Sequence, residues 1–150
     1  MKIGDFGLSK RLEGATALRT FEIGSRGYVA PELVGLFAPD DADDPNVASE
    51  YSYTNAVDIW AIGEITARMI TGKPSFSEPR ALYRYIILGE SYPATNLEAA
   101  GASSDCYDFI RNMMSPSPTK RFDTQRAMDH DWLKTDRYAI NMALHCTGYL

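Results

Sequence analysis

Residues 54–71 read TNAVDIWAIGEITARMIT, and the spacing of their apolar side chains decides what kind of molecule this is. Thr54 or Asn55 is a competent helix cap, and Gly72 and Pro74 supply stop signals just beyond Thr71, so the stretch reads as one helix. Val57, Ile59, Trp60, Ile62, Ile65, Met69 and Ile70 fall on more than one face. A helix apolar nearly all round is a buried one, which predicts other elements packed around it.

Downstream, a helix is expected over residues 80–88. Another starts from a cap at Ser103, Ser104 or Asp105 and runs through Cys106, Phe109, Ile110, Met113 and Met114, whose three- and four-residue spacing marks one buried stripe. Pro116 and Pro118 end it, Thr124 is placed to cap the next, and Ala127, Met128 and Trp132 are expected to face inward. Upstream, Lys2-Ile3 suits a short strand entering a glycine-rich turn, and residues 8–28 form a long connector without periodicity. A second loop, 39–45, carries acids at 40, 41, 43 and 44 and reads as a solvated insertion. The fold class expected is mainly α with little sheet, and residues 134–150 carry only a weak pattern.

Composition narrows the function. The 150 residues are 45% apolar and 23% charged, near the globular average, and suffice for one domain. A formal charge of −5 argues against nucleic acid as a partner. Asp58, Glu64 and Arg68 interrupt the most apolar stretch, and residues 1–10 contain charges and no apolar h-region, so neither a membrane span nor secretion is expected. Cys106 and Cys146 lack metal-site spacing and read as reduced intracellular thiols, Cys106 as a small core residue.

The chemistry lies in a series of short motifs. Asp5-Phe6-Gly7 is followed by GSRGYVAPE at 24–32, DIWAIG at 58–63 and PTKR at 118–121, ahead of FDTQRAMDHDW. Any one alone is weak; together and in this order the chain resembles the C-terminal lobe of a eukaryotic protein kinase from the DFG segment onward, over about residues 2–133. GSRGYVAPE is similar to the serine/threonine type. DFGLSK and LRT resemble the calcium/calmodulin-dependent and checkpoint-like branch. The resemblance implies a partial kinase domain at 1–133 with a tail at 134–150, ATP and Mg²⁺ as participants in the complete enzyme, a protein substrate, and a cytoplasmic or nuclear setting.

It also implies roles residue by residue. A carboxylate must hold Mg²⁺ against the ATP phosphates, and Asp5 matches that ligand; Phe6 and Gly7 complete the tripeptide that sets loop states. Thr20 matches an activation-loop phosphosite, with Lys10 as one basic partner of the phosphate, and is equally readable as a solvent-facing hydroxyl; Thr16 is the next candidate. Ser25, Gly27 and Tyr28 match substrate-binding positions, Gly27-Tyr28-Val29 resembling the wall beneath the residue after the phosphoacceptor. At position 68, several basophilic relatives carry an acid, and Arg68 here disfavours an arginine-rich substrate. Glu32 and Arg121 match a buried ion pair. Asp58 matches an acid that accepts hydrogen bonds from the catalytic loop and is expected here as a buried acid without donors. His130 reads as structural, and His145 has no assigned role.

The same sequence contains no G-x-G-x-x-G, no V-A-I-K and no H-R-D-x-x-x-x-N. No catalytic aspartate of the last motif is therefore present, and the 150 residues read as a kinase domain without its first half, inactive alone. The central helix is then expected to expose apolar surface that the missing half would cover. The alternatives are a non-catalytic protein-binding module and a fragment without function.

Overall fold

A computed structural model describes residues 27–36 and 55–134, all helices, turns and loops, with no strand among these residues. A 3-10 turn, Pro31–Val34, is followed by helices α1 (Asn55–Thr71), α2 (Pro79–Ile87), α3 (Thr95–Ala99), α4 (Ser104–Met113) and α5 (Thr124–Met128). This is the mainly α architecture that the sequence implies. The expected strand at residues 2–3, the loop at 39–45, Cys146, His145 and the tail beyond 134 lie outside the described residues.

The central helix α1 packs against α3 and α4. Ile59, Trp60, Gly63, Glu64 and Ala67 form its buried stripe. Gly63 marks the closest approach: a Cβ there would sit 2.6 Å from Met114 Cγ and 3.1 Å from Met113 Cβ. Only a residue without a side chain lets the two helices come this near. The opposite face does not fit a helix buried all round, since Ile62, Ile65 and Met69 are 47%, 45% and 82% exposed. These three recur at the three- and four-residue helical spacing and form one apolar face turned to solvent.

Around α1 the core is closed by Ile86, Leu97, Ile110, Met113 and Met114, and Cys106 is buried among them as expected. An aromatic run continues from Trp60 through Phe76 to Tyr85 and Tyr92, with Tyr85 and Tyr92 meeting edge to face at 5.8 Å. Their hydroxyls are satisfied inside the core, Tyr85 donating to Met114 O at 2.9 Å and Tyr92 to Ser75 Oγ at 2.6 Å. Burial pushes both phenols well above their ordinary range.

The helix ends follow from local chemistry. Pro79 opens α2, where its missing N–H costs nothing and its fixed φ suits the first turn. Ser103 caps α4 by accepting from Cys106 N at 3.2 Å. For α5 the cap is Asp123, accepting from Arg126 N at 2.7 Å, rather than Thr124, which is the first helical residue. Phe122 N donates to Asn112 O at 3.2 Å and fixes the backbone just before, placing the carboxylate rather than the hydroxyl at the cap. Met128, expected inward, is 48% exposed. Neighbouring positions on a helix point about 100° apart, so a five-residue helix that buries Ala127 turns Met128 away. Trp132 is partly buried against Phe109, ring centroids 4.9 Å apart.

Candidate functional site: the pinned loop end

The segment 27–32 enters with Gly27 at φ +102, a left-handed conformation that glycine adopts without strain, and ends on Ala30, Pro31 and Glu32, all buried. Glu32 meets Arg121 across 89 residues of sequence, Nη1 to Oε1 at 2.8 Å and Nη2 to Oε2 at 3.0 Å. Two parallel bonds of this kind give the fork geometry that favours arginine over lysine. Arg121 also donates to Ala56 O at 2.7 Å, Ser115 O at 3.0 Å and Pro116 O at 3.4 Å, so each of its five N–H groups has an acceptor. Its guanidinium carbon lies 5.2 Å from the centre of the Trp60 ring. One side chain thus ties together the loop end, the first turn of α1 and the segment after α4.

A second cluster lies at the other end of α1. Glu64 is almost fully buried and accepts from Arg68 Nε at 2.6 Å and from Ser75 N, 3.3 Å from each carboxylate oxygen. Arg68 lies with its guanidinium carbon 4.5 Å from the centre of the Tyr28 ring, and a Cβ at position 27 would fall 2.6 Å from Nη2. The hydrogen bond to Glu64 raises the Arg68 guanidinium still further above its high ordinary range, so its charge is permanent. Gly27 and Tyr28, two of the positions expected to bind substrate, therefore pack against Arg68. Sequence reasoning missed Glu64 as the buried anchor of this arrangement, although Glu64 and Arg68 stand at the i,i+4 spacing that pairs such residues.

The other expected positions divide clearly. Glu32 and Arg121 are brought together as the resemblance implies. Asp58 is exposed rather than buried, because it lies one residue before the buried pair Ile59 and Trp60 and points away from α4. Asp5, Phe6, Gly7, Lys10, Thr16, Thr20 and Ser25 lie outside the described residues. His130 is structural: its Nε2 is 3.3 Å from Asp108 Oδ2, and its ring packs on Phe109 and Phe122. Arg111 and then His130 hold the Asp108 carboxyl below the usual carboxylate range. An open cleft of about 750 Å³ runs between α4 and α5 past Asp105, Asp108, Arg111, Arg126 and His130. Of the positions given roles by the motifs, His130 alone among the described residues lines it; Gly27, Tyr28, Glu32, Asp58 and Arg121 do not. Among the described residues, no group of three or more His, Cys, Asp or Glu is placed to hold a metal ion, and no helix is long and apolar enough to cross a membrane.

The family model described as "Protein kinase domain" matches residues 1–133, and with the pinned loop end and the helical lobe this places the chain in the eukaryotic serine/threonine protein kinase family. It is 34% identical over 137 residues to calcium/calmodulin-dependent protein kinase type 1B of Rattus norvegicus, an alignment covering 89% of this chain and 35% of that protein. Serine/threonine-protein kinase cds1 of Schizosaccharomyces pombe is likewise 34% identical over 137 residues, 90% of this chain and 28% of that protein. Serine/threonine-protein kinase RAD53 of Saccharomyces cerevisiae is 31% identical over 140 residues, 89% of this chain and 16% of that protein. The chain thus spans about a third or less of the length of these relatives.

Proposed function

We propose that residues 1–133 are the C-terminal part of a protein kinase domain that, joined to an ATP-binding half, transfers the γ-phosphoryl group of ATP to serine or threonine of a protein substrate inside the cell. Residues 134–150 are a tail to that domain. The observation that carries this reading is the Glu32–Arg121 pair, which fixes the end of the loop that would hold the substrate against the central helix. Gly27 and Tyr28 form the accessible part of that platform, with Ser25 beside them in sequence.

ATP and Mg²⁺ take part in the reaction of the kinase family, and Mg²⁺ supplies neutralisation of phosphate charge. In this chain Asp5 is the residue proposed to hold it. Thr20 and Thr16 are proposed phosphate acceptors on the loop, with Lys10 as a cationic partner.

Taken by themselves, the 150 residues are proposed to be inactive. If each missing clamp or base contributes even about 10²-fold, a single retained carboxylate does not compensate. Purified chain incubated with ATP, Mg²⁺ and a generic protein substrate should show no incorporation. Joined to an upstream half containing H-R-D-x-x-x-x-N, it should show incorporation that Asp5→Ala abolishes. Incorporation by the 150 residues alone overturns the proposed inactivity, and a joined protein that stays inactive overturns the enzymatic reading. The second reading, a non-catalytic protein-binding module, draws on the solvent-facing stripe of Ile62, Ile65 and Met69.

A further inference from the structure

Residues 131–134 form a helical turn, and His130 stands immediately before it. The His130 carbonyl accepts from Leu133 N at 3.1 Å and Lys134 N at 3.2 Å, the first bonds of that turn. Its ring caps the same turn, because Trp132 N donates to Nδ1 at 3.3 Å. An amide N–H only donates, so Nδ1 presents a lone pair and the proton of the neutral ring sits on Nε2, 3.3 Å from Asp108 Oδ2. Only this tautomer satisfies both contacts. A doubly protonated ring keeps the Asp108 contact, strengthened by charge, but has no lone pair left for Trp132 N. It also sets a positive charge at the positive end of the turn.

The surroundings keep these two contacts decisive. Phe109 and Phe122, which pack on the ring, carry no charge. The charged side chains lining the same cleft are Asp105, Asp108 and Arg111 of α4, Arg126 of α5, and Asp129 and Asp131 beside His130. Lys134, on the turn itself, pairs with Asp131 at 3.7 Å. Arg111 and then His130 hold the Asp108 carboxyl below the usual range, so it stays anionic while an ordinary imidazole titrates near pH 6.5.

We propose that His130 is a proton-operated helix cap. Neutral, it closes the start of the turn at 131–134; protonated, it releases Trp132 N and stays held to Asp108 on α4. Mild acid thus loosens the turn while the packing of α4 and α5 persists. The turn is where residues 135–150 join the described lobe, so the same proton sets how firmly that junction is held.

The test follows the full 150-residue chain, labelled with ¹⁵N, by NMR. At pH 7.5 the His130 ring should carry its proton on Nε2 and none on Nδ1, assigned by comparison with His145→Asn, which leaves His130 the one histidine. From pH 7.5 to pH 5.5 the protection of the Trp132 amide, corrected for the intrinsic pH dependence of exchange, should fall about fivefold, the weight of a typical cap. Protection of Ile110 in α4 should hold. Asparagine caps at any pH, so His130→Asn should keep Trp132 protection level across the interval. Asp108→Asn withdraws the anion that favours the imidazolium and should move the fall to lower pH. If either variant fails to fold by circular dichroism, the wild-type tautomer and exchange profile with the remaining variant decide. A ring proton on Nδ1 at pH 7.5, a level Trp132 profile in the wild type, or a fall shared by Ile110 overturns the inference. So does an equal fall in His130→Asn, or a midpoint in Asp108→Asn that is unchanged or raised.

Discussion

Arg121→Ala should be the most damaging single substitution in the described part of the molecule. The wild-type side chain is fully buried, with side-chain exposures of 0% for Arg121 and 1% for Glu32. Removing it leaves the Glu32 carboxylate without its cation, a loss of about 3–5 kcal/mol for a broken buried pair. It also withdraws donors from Ala56 O, Ser115 O and Pro116 O. Such carbonyls retain other partners or admit water, so their joint loss adds about 1 kcal/mol. The sum, about 4–6 kcal/mol, is comparable to the whole stability of many domains. Urea titration followed by fluorescence reads it directly, because Trp60 lies beside the guanidinium. Glu32→Gln, which keeps an acceptor for one donor and leaves all three carbonyl bonds, should cost distinctly less. A loss below about 1 kcal/mol for Arg121→Ala would refute the reasoning. Equal losses for the two variants would show that the carbonyl contacts contribute nothing.

Two further substitutions test the core. Gly63→Ala gains up to about 1 kcal/mol of helix propensity, but its methyl meets Met114 Cγ at 2.6 Å and Met113 Cβ at 3.1 Å, so thermal melting should show a net loss of about 1–2 kcal/mol. Unchanged or raised stability would mean that α4 shifts freely. Tyr85 and Tyr92 have phenols raised by burial, and a raised pKa stabilises the fold below the unfolded value near 10 and loses that contribution above it. By about pH 11 each phenol should have removed roughly 1.4 kcal/mol, and Tyr85→Phe with Tyr92→Phe should flatten the fall. An alkaline limb of equal slope in the variant would assign it to other groups.

Much of this fold was legible because its signals were local. The stop at Gly72 and Pro74, the serine before α4 and the stripe from Cys106 to Met113 each specify an element without reference to anything distant. The error at α5 arose where two cap-competent residues are adjacent, and the choice depends on the Phe122–Asn112 bond between segments. Helix α3 went unseen because five residues burying only Leu97 leave no period to read. Glu64 is the more instructive miss. Its spacing from Arg68 was visible, but i,i+4 pairs are usually solvated, and only the approach of Ser75 N and the aromatic run turns this one inward.

The two faces of α1 explain why one motif residue met its expectation and another did not. Trp60 and Asp58 belong to the same short motif, yet Trp60 is buried beneath Arg121 and Asp58 is exposed. Residues 59, 60, 63, 64 and 67 find their partners in α3, α4 and the segment after α4, all of which lie within this chain. Positions 58, 62, 65 and 69 lie on the other side of the helix, where Ile62, Ile65 and Met69 keep a large exposed area. A side chain that water tolerates and one that it does not thus share a face, and burial of that face would require an acceptor site for Asp58 as well as apolar cover for its neighbours. Asp58 therefore reports on whatever covers this side of the helix: a purely apolar partner would leave its carboxylate stranded, whereas one offering backbone N–H groups would satisfy it.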